Sequence, residues 1–139
     1  MASLFSRIIE GELPGRFVWR DDEVVAFLTI APLQPGHTLV VPIEEVADWV
    51  DLDPDLLAHL TVVSQIIGKA IDAAFHPAKV GLMIAGLEVP HVHIHVTPIN
   101  SVTDLDFANA DTGASDESLD DAAQRIRAAL AEMGHEPAR

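Results

Sequence analysis

The stretch His91-Val92-His93-Ile94-His95-Val96-Thr97 decides how this chain is read. Side chains alternate across a β-strand, so three imidazoles project from one face and Val92, Ile94 and Val96 turn into apolar packing on the other. Imidazoles in a row on a β-branched strand are costly to bury without partners. Three readings follow. The rings form a polar cluster that satisfies itself. Alternatively they ligate a metal, although three ligands on one strand lie too much in line for an unaided tetrahedron. In the third reading a neutral imidazole attacks phosphorus, and its neighbours fix its tautomer and meet the charge that develops.

Outward from this run, Lys79 to Ala85 reads as a partner strand. Before it, Asp53 and Pro54 open a long helix, in which Leu56, Leu60, Val63, Ile67, Ala70, Ile71 and Ala74 make one apolar stripe that Pro77 ends. Phe17 to Arg20 and Glu23 to Thr29 are β-rich on either side of Asp21-Asp22, which predicts a hairpin. Ala31 to Gly36 is a loop and Thr38 to Val41 a short buried strand. Ser3 to Glu10 predicts a short helix with Leu4, Phe5, Ile8 and Ile9 on its apolar face. Ser101 to Ala114 is polar, acidic and irregular, and Ser115 opens an amphipathic helix that runs to about Met133. The order implies an α+β fold around an antiparallel sheet of about five strands, with one long helix and a C-terminal helix.

At 139 residues, 49% of them hydrophobic, the chain suits one domain with a single core. No continuous apolar run approaches the roughly 18 residues that span a bilayer. Met1 to Glu10 lacks the basic start and apolar stretch of a signal peptide, so a cytoplasmic protein is expected. A net charge of −14 argues against nucleic-acid polymers and anionic membranes as partners. A small phosphate ligand remains compatible, provided a local pocket supplies donors. With only 8 Lys and Arg residues, those donors are expected to be imidazolium and backbone N–H groups.

The triad, completed by Val96 and Thr97, resembles the signature of the histidine triad (HIT) family. So do Ser6 to Pro14, Asp21 to Leu28, Val89-Pro90, and above all Pro35-Gly36-His37-Thr38-Leu39-Val40-Val41-Pro42. The match runs in order over about residues 3 to 98, which would make residues 1–139 a single HIT domain with a C-terminal extension. The resemblance implies that His93 is the nucleophile and forms a nucleotidyl-histidine intermediate. It implies that His95 contacts phosphate and helps the leaving group, and that His91 and His37 support them. Leu4, Phe5, Ile8, Phe27, Ile30 and Leu39 match base-pocket positions, each of which ordinary core packing would also explain. His59, His76 and His135 match no motif and read as surface residues. The resemblance further implies a small nucleotide substrate, no cofactor, and a homodimer formed through the long helix and a sheet edge. Trp49 lies in a segment that suits either that interface or the core.

Several positions depart from the family pattern. Thr29 stands where an Asp binds the ribose hydroxyls, Leu87 where a Gln is usual, and Ala85 near the usual Asn. Glu88 falls where a phosphate-facing Ser or Thr is common, and a carboxylate there would repel phosphate unless it points away or is protonated. Some bacterial members hold a structural zinc; here Ser3 and Ser6 take the cysteine positions and Glu45 the histidine position, so no metal is expected. The leading expectation is a hydrolase or transferase that cleaves a nucleoside phosphoramidate or a dinucleoside polyphosphate, in a Hint-like or Fhit-like branch. His95 disfavours the galactose-1-phosphate uridylyltransferase branch, which has Gln there. The alternatives are a non-catalytic nucleotide-binding regulatory module and a metal site built from His91, His93 and His95.

Overall fold

A computed structural model describes residues 2–136; Met1 and residues 137–139, which the reading of 1–139 as one domain includes, lie outside the described residues. The elements are α1 (Leu4–Ile9), β1 (Phe17–Arg20), β2 (Val24–Leu28), β3 (Thr38–Pro42), α2 (Pro54–Phe75), β4 (Lys79–Met83), β5 (Ile94–Ile99) and α3 (Asp116–Glu132). All strand pairs are antiparallel, in the order β1-β2-β3-β5-β4. The fold is therefore α+β with a five-stranded sheet, as the pattern of hydrophobic periods predicts.

Local chemistry explains the element ends. Asp21 Oδ1 accepts the N–H groups of Glu23 and Val24 and so turns the β1–β2 hairpin. Asp53 caps α2 by accepting the N–H of Asp55, with Pro54 at the first position. His76 ends α2 in the left-handed region (φ 50), and Pro77 prevents continuation. Ser115 caps α3 through the N–H of Ser118.

Each face of the sheet has its own cluster. Val24, Ala26, Leu28, Val40, Ile94 and Val96 face α2 and α3, where Leu60, Val63, Ile67, Ile126 and Leu130 close the main core. Phe5, Val25, Phe27, Leu39 and Val41 cluster on the opposite face, beside α1. α2 is long and apolar enough to cross a membrane by length and composition alone. Here its stripe from Leu56 to Ile71 is buried against the sheet and α3.

Two predicted strands shift. β4 stops at Met83 rather than Ala85, and β5 begins at Ile94 rather than at His91. Pairing of Leu39 with His95 and Val40 with Ile94 would place Pro42 opposite Val92. Proline has no N–H for that rung, and the Val92 N–H goes to the Val46 carbonyl instead. His91 to His93 therefore form a lead-in to the strand. Alternation survives it: Val92 joins the main core with Ile94 and Val96, and the histidines turn to the other face. Trp49 sits in a short 3-10 turn and is 44% exposed, so it is no core residue.

Gly36 shows why the Pro35-Gly36-His37 sequence is needed. Its φ is +101, and a Cβ there would meet the Phe75 ring at 2.7 Å. Gly36→Ala should cost about 1–3 kcal/mol through strain and overpacking. Chemical denaturation checks this; an unchanged midpoint would mean the turn has slack.

Candidate active site

His37 follows the Gly36 turn, and its Nδ1 accepts the backbone N–H of Leu33 at 3.0 Å. That nitrogen then carries no proton, so a neutral His37 is protonated at Nε2. Nε2–H donates to His95 Nδ1 at 2.9 Å. His95 consequently carries its own proton on Nε2. This atom is buried and has no hydrogen-bond partner. It is the unsatisfied donor of the site, and His95 lines the large cleft described below.

A second chain of hydrogen bonds fixes His93. Its Nδ1–H donates to the His91 carbonyl at 2.7 Å, which leaves Nε2 as the nitrogen that faces Glu88 and the cleft. His91 lies one layer behind. Its Nε2–H donates to the Pro42 carbonyl at 2.7 Å, and its Nδ1 accepts from the Ser3 hydroxyl at 2.7 Å. Phe5 packs edge-on against His93 with ring centres 4.8 Å apart, and His95 stands against Phe107 at 5.0 Å.

Burial dominates the electrostatics. It lowers His37 to about 3 and His95 to about 4, assisted in both by neighbouring imidazoles, while Glu88 partly opposes the shift of His95. Burial also lowers His91, against the opposing pull of the Pro42 carbonyl and Glu45. The donor expected to be an imidazolium is thus a neutral N–H on His95, because desolvation disfavours its charged form.

The cleft has a volume of about 1100 Å³. His37, His93 and His95 line it, as do all eight residues predicted to contact a nucleotide: Leu4, Phe5, Ile8, Phe27, Thr29, Ile30, Leu39 and Glu88. Phe5, Phe27 and Leu39 form its buried wall, while Leu4 and Ile30, 47% and 74% exposed, sit at the rim. Thr29 uses its hydroxyl oxygen to accept the Ala31 N–H. Sequence reasoning missed Phe107, which covers His95 from the acidic segment, although a lone aromatic in a polar stretch was a signal. It also missed Arg16, which reaches Asp116 at 3.0 Å and Asp120 at 2.7 Å across the cleft's edge.

Glu88 points toward the triad rather than away from it. Its Oε1 lies 3.2 Å from His93 Nε2 and 3.8 Å from His95 Nε2. Burial pulls this carboxyl up, but its own backbone N–H and the two imidazoles outweigh that and hold it below the usual range.

The ligand atoms of Glu88, His93 and His95 lie within 4.8 Å of one another, close enough to share a metal ion. A metal would need a lone pair on His95 Nε2, where the His37 contact places a proton. His91 does not join them, since both its ring nitrogens are engaged elsewhere; the three triad histidines make no common ligand set.

Ser3, Ser6 and Glu45, the three positions that match zinc ligands, do converge beside His91. Ser6 Oγ–H and the Ser3 N–H both donate to Glu45, at 2.7 and 2.6 Å, and Ser3 Oγ–H donates to His91. Two hydroxyls in place of thiolates, with their donors already spent, do not fit a structural zinc.

The HIT domain family matches residues 10–102. The chain belongs to the HIT family. It is 33% identical over 138 residues to a HIT-like protein of Mycobacterium tuberculosis, covering 96% of each chain. Its fold is similar to that of a Zn-bound histidine triad family protein from Mycobacterium smegmatis (TM-score 0.83, 27% identity, 96% of each chain). It is also similar to a hypothetical histidine triad nucleotide-binding protein from Sulfolobus tokodaii (TM-score 0.81, 26% identity, 93% of this chain and 92% of that one). Membership in the HIT family supports a nucleotide-binding or hydrolytic role.

Two outcomes follow. His37 and His95 have folded-state values well below that of an unfolded histidine, so only the unfolded chain takes up these protons as pH falls from about 6.5 toward 4. Stability should decline across that window by up to about 1.4 kcal/mol per pH unit for each ring. Denaturation midpoints against pH measure it, and His37→Asn should flatten the slope. Prolonged chelation should leave the thermal midpoint within about 1 °C, whereas loss of a structural zinc would unfold the α1 end.

Proposed function

We propose that this HIT protein transfers the nucleotidyl group of a small nucleotide, a nucleoside phosphoramidate or a dinucleoside polyphosphate, through a covalent intermediate on His93, and hydrolyses it with water. The observation that carries the reading is the pairing of complementary atoms at the cleft. His93 Nε2 faces the cleft because Nδ1–H is held by the His91 carbonyl, and His95 Nε2–H stands beside it with no hydrogen-bond partner. The first is a nucleophile toward phosphorus and the second a donor for a phosphoryl oxygen.

The apolar wall of Phe5, Phe27 and Leu39 suits a base, and the neutral donor suits one phosphate in a protein of net charge −14. The description of the Sulfolobus tokodaii relative as nucleotide-binding favours the same class. A cytoplasmic setting and a homodimer belong to the proposal. β4 ends the sheet with Leu82 52% exposed, and among the described residues the segment after Asn100 adds no strand to that edge. A binding module without turnover is the second reading. It draws on Glu88 touching Nε2, and would give calorimetric binding of a nucleoside monophosphate with no product from any substrate.

Incubation with an adenosine 5′-phosphoramidate or diadenosine triphosphate should release AMP, and rapid quenching should trap an acid-labile adduct on His93 detectable by mass spectrometry. His93→Ala should lower kcat/KM by about 10,000-fold or more and abolish the adduct. Turnover that survives this substitution removes His93 as the nucleophile.

A further inference from the structure

We infer that Glu88 is the proton carrier of this site, taking the proton from the attacking imidazole and delivering it to the leaving group, which fits the site to leaving groups too basic to depart unprotonated, amines above all. The inference rests on the reading of His93 as the nucleophile.

The argument starts from the 3.2 Å separation of Glu88 Oε1 and His93 Nε2. His93 Nδ1–H is committed to the His91 carbonyl. A bare Nε2 lone pair and a carboxylate would repel at this distance, so the contact requires a proton between them. An imidazole that carries that proton cannot attack. The proton must pass to an acceptor, and Glu88 is the one in contact. His95 cannot serve, because its Nε2 already carries the hydrogen that His37 forces upon it. The other titratable groups lining the cleft are occupied: Arg16 pairs with Asp116 and Asp120, and His37 Nε2–H is held by His95. Glu88 also has open solvent beside it. It lies between β4 and β5, and its side chain is 52% exposed at the rim of the cleft, so it can withdraw as phosphorus takes its place beside Nε2.

The step balances. The shared proton settles on Glu88, and the Nε2 lone pair of His93 forms the bond to phosphorus. The bond from phosphorus to the leaving nitrogen breaks, its electron pair stays on nitrogen, and that nitrogen takes the proton from Glu88. In the second half, water oxygen attacks phosphorus and Glu88 accepts the water proton. The electron pair of the N–P bond returns to Nε2, which restores the starting pair with only water consumed. His95 Nε2–H remains on a phosphoryl oxygen throughout.

The test compares two substrates that share the nucleotide and differ in the leaving atom. One is an adenosine 5′-phosphoramidate of an alkylamine, which needs a proton to depart. The other is the 4-nitrophenyl ester of AMP, whose phenolate needs none. Glu88→Gln should lower kcat/KM on the amine by about 100-fold or more and on the nitrophenyl ester by less than about fivefold. A merely structural role would lower both alike. Equal losses, or an undiminished amine reaction, overturn the role of Glu88 while the His93 adduct still forms. If the wild-type protein turns over neither substrate and no adduct forms, the nucleophile reading falls and this inference falls with it.

Discussion

The backbone N–H of Leu33 governs where protons sit in the cleft. It occupies His37 Nδ1, which forces the His37 proton onto Nε2, then the His95 proton onto Nε2, where it faces the cavity. A parallel constraint acts on His93, where the His91 carbonyl demands a proton on Nδ1. Two chemically identical side chains, with rings 4.9 Å apart, thereby present different nitrogens to the cleft: His95 a fixed Nε2–H, and His93 an Nε2 in contact with Glu88. The proton positions on His37, on His95 Nε2 and on His93 Nδ1 all depend on backbone groups that cannot titrate.

This division also resolves the conflict between an acidic protein and an anionic ligand. The chain carries a net charge of −14, and Arg16, the one Lys or Arg lining the cleft among the described residues, is tied to two aspartates. A cationic imidazole there would give strong attraction, but burial opposes it and keeps His95 neutral down to about pH 4. A neutral N–H on a buried ring is a better-defined instrument. It meets a phosphoryl oxygen without first needing a proton from solvent, and low local polarity strengthens the bond when it forms.

Much of this was legible in the sequence, for physical reasons. Alternation is a property of extended backbone, so it placed the three histidines opposite Val92, Ile94 and Val96 even though only His95 lies within the strand proper. Gly36 marked a turn that no residue with a Cβ fills comfortably, and His37 had to follow it. The start of β5 was hidden, because it depends on Pro42 falling opposite Val92 across a register that local sequence does not state. Phe107 and the Arg16 bridge were hidden for a similar reason: both require the chain after Asn100 to fold back over the cleft, which is a fact of tertiary packing. The aim of Glu88 is set by the ten residues between β4 and β5, where Gly86 takes φ +80 and the His91 N–H closes on the Val89 carbonyl. No period in the sequence encodes such a direction.

The cluster of Ser3, Ser6, Glu45 and His91 connects these levels. α1 is a six-residue helix, too short to persist alone, and it lies outside the segment matched by the HIT domain. Yet it supplies Leu4, Phe5 and Ile8 to the cleft. What fastens it is its own N-cap: the Ser3 hydroxyl accepts the Ser6 N–H, closing the first turn, and donates to His91 Nδ1. The hydrogen bonds that orient His91, and through its carbonyl His93, therefore also press Phe5 against the His93 ring. His93 and the cleft wall are held by one set of contacts, so neither can shift without the other. That coupling fixes the angle between α1 and the triad through three short hydrogen bonds, from the Ser3 N–H and the Ser6 hydroxyl to Glu45 and from the Ser3 hydroxyl to His91.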